Sequence, residues 1–313
     1  MVVVMATNGT HPHQQHTMAG NPPDYEENGR LYHGYRKGIY MFPCDEEEKD
    51  RMDIFHQFFL VARGEHSSAP YDKNYDGHRI LDLGTGTGIW AIDMADKYPS
   101  AEVMGIDISL IQPQTIPPNL QFRRRDFEAT WQGLPMDSWD LIHLRMLAGS
   151  ISSYQELYAN IFRHLKPQFG YLEHIEIDLS PRCDNGSLPR NAALYEWANN
   201  LMSATEQAYK PMAYNTETGS MLQNTGFVGI KEQIIKIPFN PWPHDAYQKD
   251  IGRWFNLGLC QGLEALTLGP MTRILNWDRG RVARLVADVK REICTKRHEV
   301  YCEMHIWTAR RPA

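Results

Sequence analysis

Ile80-Leu81-Asp82-Leu83-Gly84-Thr85-Gly86-Thr87-Gly88-Ile89 reads as a buried strand that runs into a glycine loop and then a helix. Apolar residues surround one acid, and three glycines follow at alternate positions. The strand should end near Leu83, and a helical pattern opens at Ile89 and runs to Tyr98. Glycine, lacking a Cβ, lets the backbone approach a ligand and adopts positive φ without penalty. The helix N-terminus behind the loop offers unpaired N–H groups. Gly84, Thr85, Gly86 and Gly88 are therefore expected to hold a nucleotide-like ligand at the end of a strand.

Two ligand classes compete for this loop. Gly86-Thr87-Gly88-Ile89-Trp90-Ala91 formally fits the dinucleotide pattern G-x-G-x-x-G/A, which points to a nicotinamide or flavin enzyme. The longer pattern Asp82-x-Gly84-x-Gly86-x-Gly88 resembles motif I of class I S-adenosylmethionine-dependent methyltransferases. A pyrophosphate wants N–H donors and no nearby anion, whereas a sulfonium ligand with a free amino group tolerates a carboxylate. Asp82 beside the loop favours the cationic ligand.

The next segments follow the same pattern. Ala101 to Asp107 is a second strand ending in an acid about twenty residues after the loop, where a carboxylate accepts from ribose hydroxyls. Asp107 and the adjoining Ile108 are expected at the cofactor. Leu120 to Phe127 forms a third strand. The methyltransferase resemblance implies that Asp126 accepts from the adenine amine and that Phe127 packs near the ring. Ser138 to Arg145 reads as strand four, Ser153-Tyr154-Gln155-Glu156 as a capping box opening a helix to about Leu165, and Gly170 to Ile177 as strand five. Val228 to Ile237 and Glu303 to Arg310 complete the set as an edge pair. The expectation is an α/β fold: a doubly wound, mostly parallel seven-stranded sheet, Rossmann-like.

Motifs outside the glycine loop carry a narrower resemblance. Arg36-Lys37-Gly38-x-Tyr40-Met41-Phe42-Pro43-x-Asp45-Glu46-Glu47-Glu48-Lys49-Asp50, Asp82 to Ala95, Ser138-Trp139-Asp140-Leu141-Ile142-His143, Ser180-Pro181-Arg182-Cys183-Asp184, Asn240-Pro241-Trp242-Pro243 and Thr308-Ala309-Arg310-Arg311-Pro312 are similar to fungal LaeA-type proteins. The resemblance runs from Leu31 to the C-terminus. It implies a nuclear methyltransferase-fold regulator that joins velvet-family proteins and controls secondary metabolism and development, with import alongside a partner, or a cytoplasmic pool, left open.

Composition sets outer bounds. A net charge of -6 and a pI near 6.1 argue against a general nucleic-acid binder. No apolar run has the length of a membrane span, and Met1 to Met5 is too short for a signal peptide. Cys44, Cys183, Cys260, Cys294 and Cys302 are scattered without a C-x-x-C pair, which suits a reducing compartment and no structural zinc. Residues 1–30 are expected to be a disordered polar tail, in which His11, His13 and His16 are a weak metal candidate. Residues 31–75 are expected to form a cap on the 78–238 core. Within the cap, Met52, Phe55, Phe59 and Leu60 recur at helical spacing, and Tyr32, His33 and Tyr40 are read as a lid over the cofactor.

Asn191 to Ala208 reads as a helix with Leu194, Trp197, Leu201 and Thr205 on one face. A shorter helix should stop at Gly226. Between the last two strands, residues 239–297 form an insertion with helices near 246–266 and 278–297, before a final strand within 300–310. Such a loop is rarely idle. Its role is either a cap over the acceptor or a partner surface carrying Lys249, Arg253, Arg284, Lys290 and Arg291.

Methyl transfer is an in-line displacement in which positioning and desolvation dominate. A base is needed only when the acceptor loses a proton. His143 and Arg145, at the carboxyl end of strand four, are the catalytic candidates: one to take a proton or orient the acceptor, the other to fix an acidic group. Glu173, His174 and Glu176 are weaker candidates, because polar groups in a buried strand need hydrogen-bond partners in any case. A protein substrate is open, and so is a cofactor-binding scaffold that regulates through partners with little methyl transfer. A nicotinamide enzyme is the distant alternative.

Overall fold

The computed structural model describes residues 23–35, 37–70 and 77–313; His11, His13 and His16, Arg36 and residues 71–76 lie outside the described residues. The chain already pairs before Leu31, inside the stretch expected to be a tail. Strands β1 (Tyr25–Glu27) and β2 (Arg30–Tyr32) form an antiparallel hairpin with Glu27 opposite Arg30. The turn is Asn28-Gly29, with φ of 55° and 81°. Positive φ at both central residues matches the twist of the flanking strands, and Asn-Gly is the pair that adopts it most easily. That dipeptide outweighs the polar composition around it.

Helix α1 (Glu46–Arg63) begins where the acidic run predicted: Asp45 caps Glu48 N–H at 3.1 Å, and Glu46, Glu47 and Glu48 occupy the first turn. Arg30 grips the same Asp45 carboxylate with bonds of 2.7 and 2.6 Å, which ties the hairpin to the helix start. Phe55, Phe58 and Phe59 are buried on the inner face of α1.

The core alternates strand and helix: β3 (Arg79–Leu83), α2 (Ile89–Lys97), β4 (Glu102–Asp107), β5 (Leu120–Arg124), β6 (Leu141–Arg145), α3 (Tyr154–His164) and β7 (Tyr171–Arg182). After it come α4 (Ala193–Gln207), α5 (Thr218–Thr225), β8 (Val228–Pro238), α6 (Ala246–Arg273), α7 (Arg279–Ile293) and β9 (Tyr301–Arg310). The sheet order is β5-β4-β3-β6-β7-β9-β8, seven strands, with β9 antiparallel to both neighbours and the first five parallel. This is the doubly wound class I methyltransferase topology. Parallel strands covered on both faces read as continuous apolar runs, and Ile80, Leu81, Leu83, Leu141, Ile142 and Leu144 are all fully buried.

Strand four starts later than expected. Ser138 and Trp139 N–H instead bond the carbonyl of His164, and the Asp140 carboxylate takes the Lys166 ammonium, so β6 opens at Leu141. Leu194, Trp197, Leu201 and Thr205 are buried as the spacing of α4 predicted. Gly226 ends α5 in the left-handed region. Helix α6 outruns its expected end by several residues and passes through Pro270, whose missing N–H breaks one helical bond without stopping the helix. Phe255 of α6 meets Phe55 edge-on at 6.0 Å, so the insertion backs α1.

Candidate cofactor and acceptor cleft

Register places the polar residues of the site on one face of the sheet. Gly105, Asp82, His143 and Glu173 are consecutive partners across β4, β3, β6 and β7. The next row up is Ile106, Leu83, Leu144 and His174. One residue further, Asp107 and Arg145 return to the face of Asp82, since side chains alternate along a strand. Only the Gly84 strand separates them, so their Cα atoms stand about 10 Å apart, two inter-strand spacings. A cleft opens above this row at the carboxyl ends of the strands.

The glycine loop forms its near wall. Thr85 Oγ1 donates to Asp82 Oδ2 at 2.6 Å, and Gly86 N–H donates to Asp107 Oδ2 at 2.9 Å. Gly84 and Gly86 have φ of 65° and 57°. A Cβ on Gly84 would lie 2.3 Å from Leu147 Cδ2, and one on Gly86 would lie 3.0 Å from Met52 Sδ. Asp82 is therefore committed inside the protein: its second oxygen meets His143 Nδ1 at 2.8 Å. Asp107 also accepts from Ser109 N–H at 2.9 Å, yet burial still raises its pKa to about 6.

His143 is 1 % exposed, with its ring stacked on Trp90 at 3.6 Å. Nδ1–H donates to the Asp82 carboxylate, and Nε2 has no hydrogen-bond partner, 3.9 Å from Glu173 Oε2. Burial lowers the pKa of His143 despite the opposing pull of Asp82. Glu173 itself is bound by Arg63 at 2.7 Å and by Ser68 N–H at 2.6 Å. Glu176 accepts from the N–H groups of Leu147 and Ala148 at 2.8 and 3.0 Å, and His174 bonds Tyr158 at 2.9 Å. Those three strand-five residues found structural partners, and none of them lines the cleft.

Of the expected site residues, Asp82, Gly84, Thr85, Gly86, Asp107, Ile108, Asp126, Phe127, His33, His143 and Arg145 all line the cleft. Asp126 also accepts from Glu128 N–H at 2.8 Å. Two do not. Gly88 starts α2 beneath Phe122, where a Cβ would lie 2.3 Å from the ring, so its role is packing. Tyr32 stacks on Tyr25 and under the Arg273 guanidinium, inside the cap. The lid is instead His33, Tyr35, Ile39 and Tyr40. Met52, Phe55 and Phe59 of α1, with Met146 and Lys210, complete the walls. Helical spacing had marked the α1 residues as apolar and inward, but it cannot distinguish a core neighbour from a cleft. No lining residue comes from 239–297, so the insertion does not cap the cleft directly.

A family profile described as "Methyltransferase domain" matches residues 50–232. The chain is 56 % identical over 293 residues to "Secondary metabolism regulator LAE1" of Cochliobolus heterostrophus, covering 92 % of this chain and 95 % of that one. The chain belongs to the LaeA family. A second member, "Protein-methionine methyltransferase laeA" of Emericella nidulans, is 46 % identical over 292 residues, 92 % of this chain and 76 % of that one. "Secondary metabolism regulator laeA" of Monascus pilosus is 46 % identical over 316 residues, 96 % and 84 % of the two chains. The methyltransferase match sets aside the dinucleotide reading of the loop. It ends within β8, before α6, α7 and β9.

Proposed function

We propose that this LaeA-family chain is an S-adenosylmethionine-dependent methyltransferase that acts on a thioether sulfur and works as a nuclear regulator of secondary metabolism with a velvet-type partner. The observation that carries the chemistry is the enclosure of His143, which is 1 % exposed. Its Nδ1 is held by Asp82 and its face by Trp90. A thioether attacks through a lone pair and loses no proton, so it needs no base. The name of the Emericella nidulans relative supports the same acceptor class. Nuclear location and a velvet partner are supported by kinship with named regulators.

The cleft fits an adenosyl ligand. Asp107 retains acceptor capacity toward ribose hydroxyls, and Ile108 and Phe127 offer an apolar bed for a base near Asp126. S-adenosylmethionine, when bound there, supplies an electrophilic methyl on a sulfonium sulfur. The chain's own residues do the rest. Gly86 and Asp107 fix the nucleoside end, while Tyr40, Phe59 and Trp90 exclude water from the reacting end. His143 serves as a positioning residue that holds Asp82 and the Trp90 wall.

Incubation with methyl-labelled cofactor and matched peptides carrying Met, Lys or Asp tests the acceptor. Label on the Met sulfur, at a rate level between pH 7 and 9, is expected. Label on nitrogen or oxygen, or a rate that climbs with deprotonation of a single group, overturns the thioether reading. No label on any acceptor, with cofactor bound, identifies a scaffold.

A further inference from the structure

Arg145 is a partly buried arginine with too few partners. It stands at the carboxyl end of β6, level with Asp107 and two strands away, and it lines the cleft. No carboxylate forms an ion pair with it among the described residues. Among the described residues its one hydrogen bond runs from Nη2 to His56 Nδ1 at 3.3 Å. His56 is not free to change that arrangement, because its Nε2 is held by Asp93 at 2.8 Å. The guanidinium plane lies over the Phe59 ring at 4.4 Å. Arginine has five N–H donors in a fixed fork suited to a carboxylate.

The neighbouring arginines are matched: Arg63 by Glu173, Arg51 by Glu48 and Arg30 by Asp45. Burial brings the pKa of Arg145 down to about 10, the mark of a cation lacking a close counter-ion. A partly desolvated cation that lines a cleft without a counter-ion favours an incoming anion.

We propose that Arg145 is the receptor for a ligand carboxylate, at the end of the cleft opposite Asp107. The inference rests on the cofactor reading of the cleft and goes further by assigning this fork its ligand group. Two sources carry that chemistry: the amino-acid end of the cofactor, and an acidic acceptor. The separation of about 10 Å between the Asp107 and Arg145 backbones suits the first, with the ribose at one end and the amino-acid carboxylate at the other.

Calorimetry on the full chain with two probes separates these cases. S-adenosylhomocysteine carries the carboxylate; 5′-methylthioadenosine has the same nucleoside and thioether without it. The wild type should prefer the first. In Arg145→Gln its affinity should fall at least tenfold, as expected for a lost charged hydrogen bond. Methylthioadenosine affinity should stay within threefold, which also shows that the variant is folded. Arg145→Lys, keeping the charge without the fork, should lie between. If S-adenosylhomocysteine binding is unchanged, the S-adenosylhomocysteine complex is titrated with N-acetylmethionine and its methylamide. A preference for the free acid that Arg145→Gln abolishes assigns the acceptor as the source. No carboxylate preference in either titration overturns the proposal. Failure of both nucleosides to bind the wild type instead overturns the cofactor reading.

Discussion

Asp107 shows how one residue couples burial to binding. Two backbone N–H groups stabilise its carboxylate, but desolvation outweighs them and the pKa rises to about 6. Its folded-state pKa therefore exceeds the unfolded value, so between roughly pH 4 and 6 the folded state holds the extra proton. This group's contribution to stability declines as pH rises through that window. Ligand affinity runs the other way, because ribose hydroxyls donate to the ionised form. S-adenosylhomocysteine binding, followed by calorimetry, should weaken progressively below pH 6 and be level above pH 7. Asp107→Ala should cost about 2–4 kcal/mol of cofactor affinity at neutral pH, two bonds to a charged acceptor with partial replacement by water. A loss below threefold would place the ribose elsewhere. Glu173 is a different case: it is fully buried, and Arg63 is its ion-pair partner. Arg63→Met should strand that charge and lower unfolding free energy by about 3–5 kcal/mol in a urea titration, whereas the double change with Glu173→Gln should recover part of the loss. Asp82, Asp107 and Asp126 were legible from their positions near strand ends. That Asp82 spends both oxygens on Thr85 and His143 was not, because the partner His143 is distant in sequence and arrives only through strand pairing.

The glycine loop belongs to the scale of the element, since its shape comes from strand end, turn and helix start together. Gly86 has positive φ and its missing Cβ faces Met52 of α1. Gly86→Val adds a β-branched side chain in the left-handed region, at a cost of about 1–2 kcal/mol, and crowds the cleft. Micromolar S-adenosylhomocysteine binding should disappear while far-UV circular dichroism keeps the wild-type helix signal; retained binding would refute the role given to the loop. The hairpin β1–β2 was legible in principle from Asn28-Gly29, but the surrounding polar composition masked it. The acidic run before α1 and the Ser153 cap of α3 both announced helix starts correctly, because a cap is a local hydrogen bond within one turn. Helix ends were less clear. Helix α6 continues to Arg273 because the buried residues Leu263, Leu266, Leu268 and Met271 pull its last turns into the core.

At the scale of the molecule, the insertion lies beyond the stretch that the domain profile matches. Its residues are absent from the cleft lining, and α6 instead supports α1 from behind. Of the basic side chains expected to meet a partner, Arg253 and Arg291 are already engaged by Asp250 and Asp288. Reversing Lys249, Arg284 and Lys290 together should therefore weaken capture of the velvet-type partner in a pull-down at least tenfold, with S-adenosylhomocysteine affinity unchanged. Undiminished capture would remove docking from this surface. The sequence by itself determined the succession of strands and helices in the core, the glycine loop, the acids near the strand ends and the family, because these depend on local periodicity and short motifs. Only the tertiary structure decided which residues face one another. It showed that α1 rather than the insertion walls the cleft, that Tyr32 and Gly88 turn away from it, that His143 is enclosed, and that Arg145 lacks a counter-ion. Each of these depends on parallel pairing and helix packing between distant segments, and no local pattern encodes them.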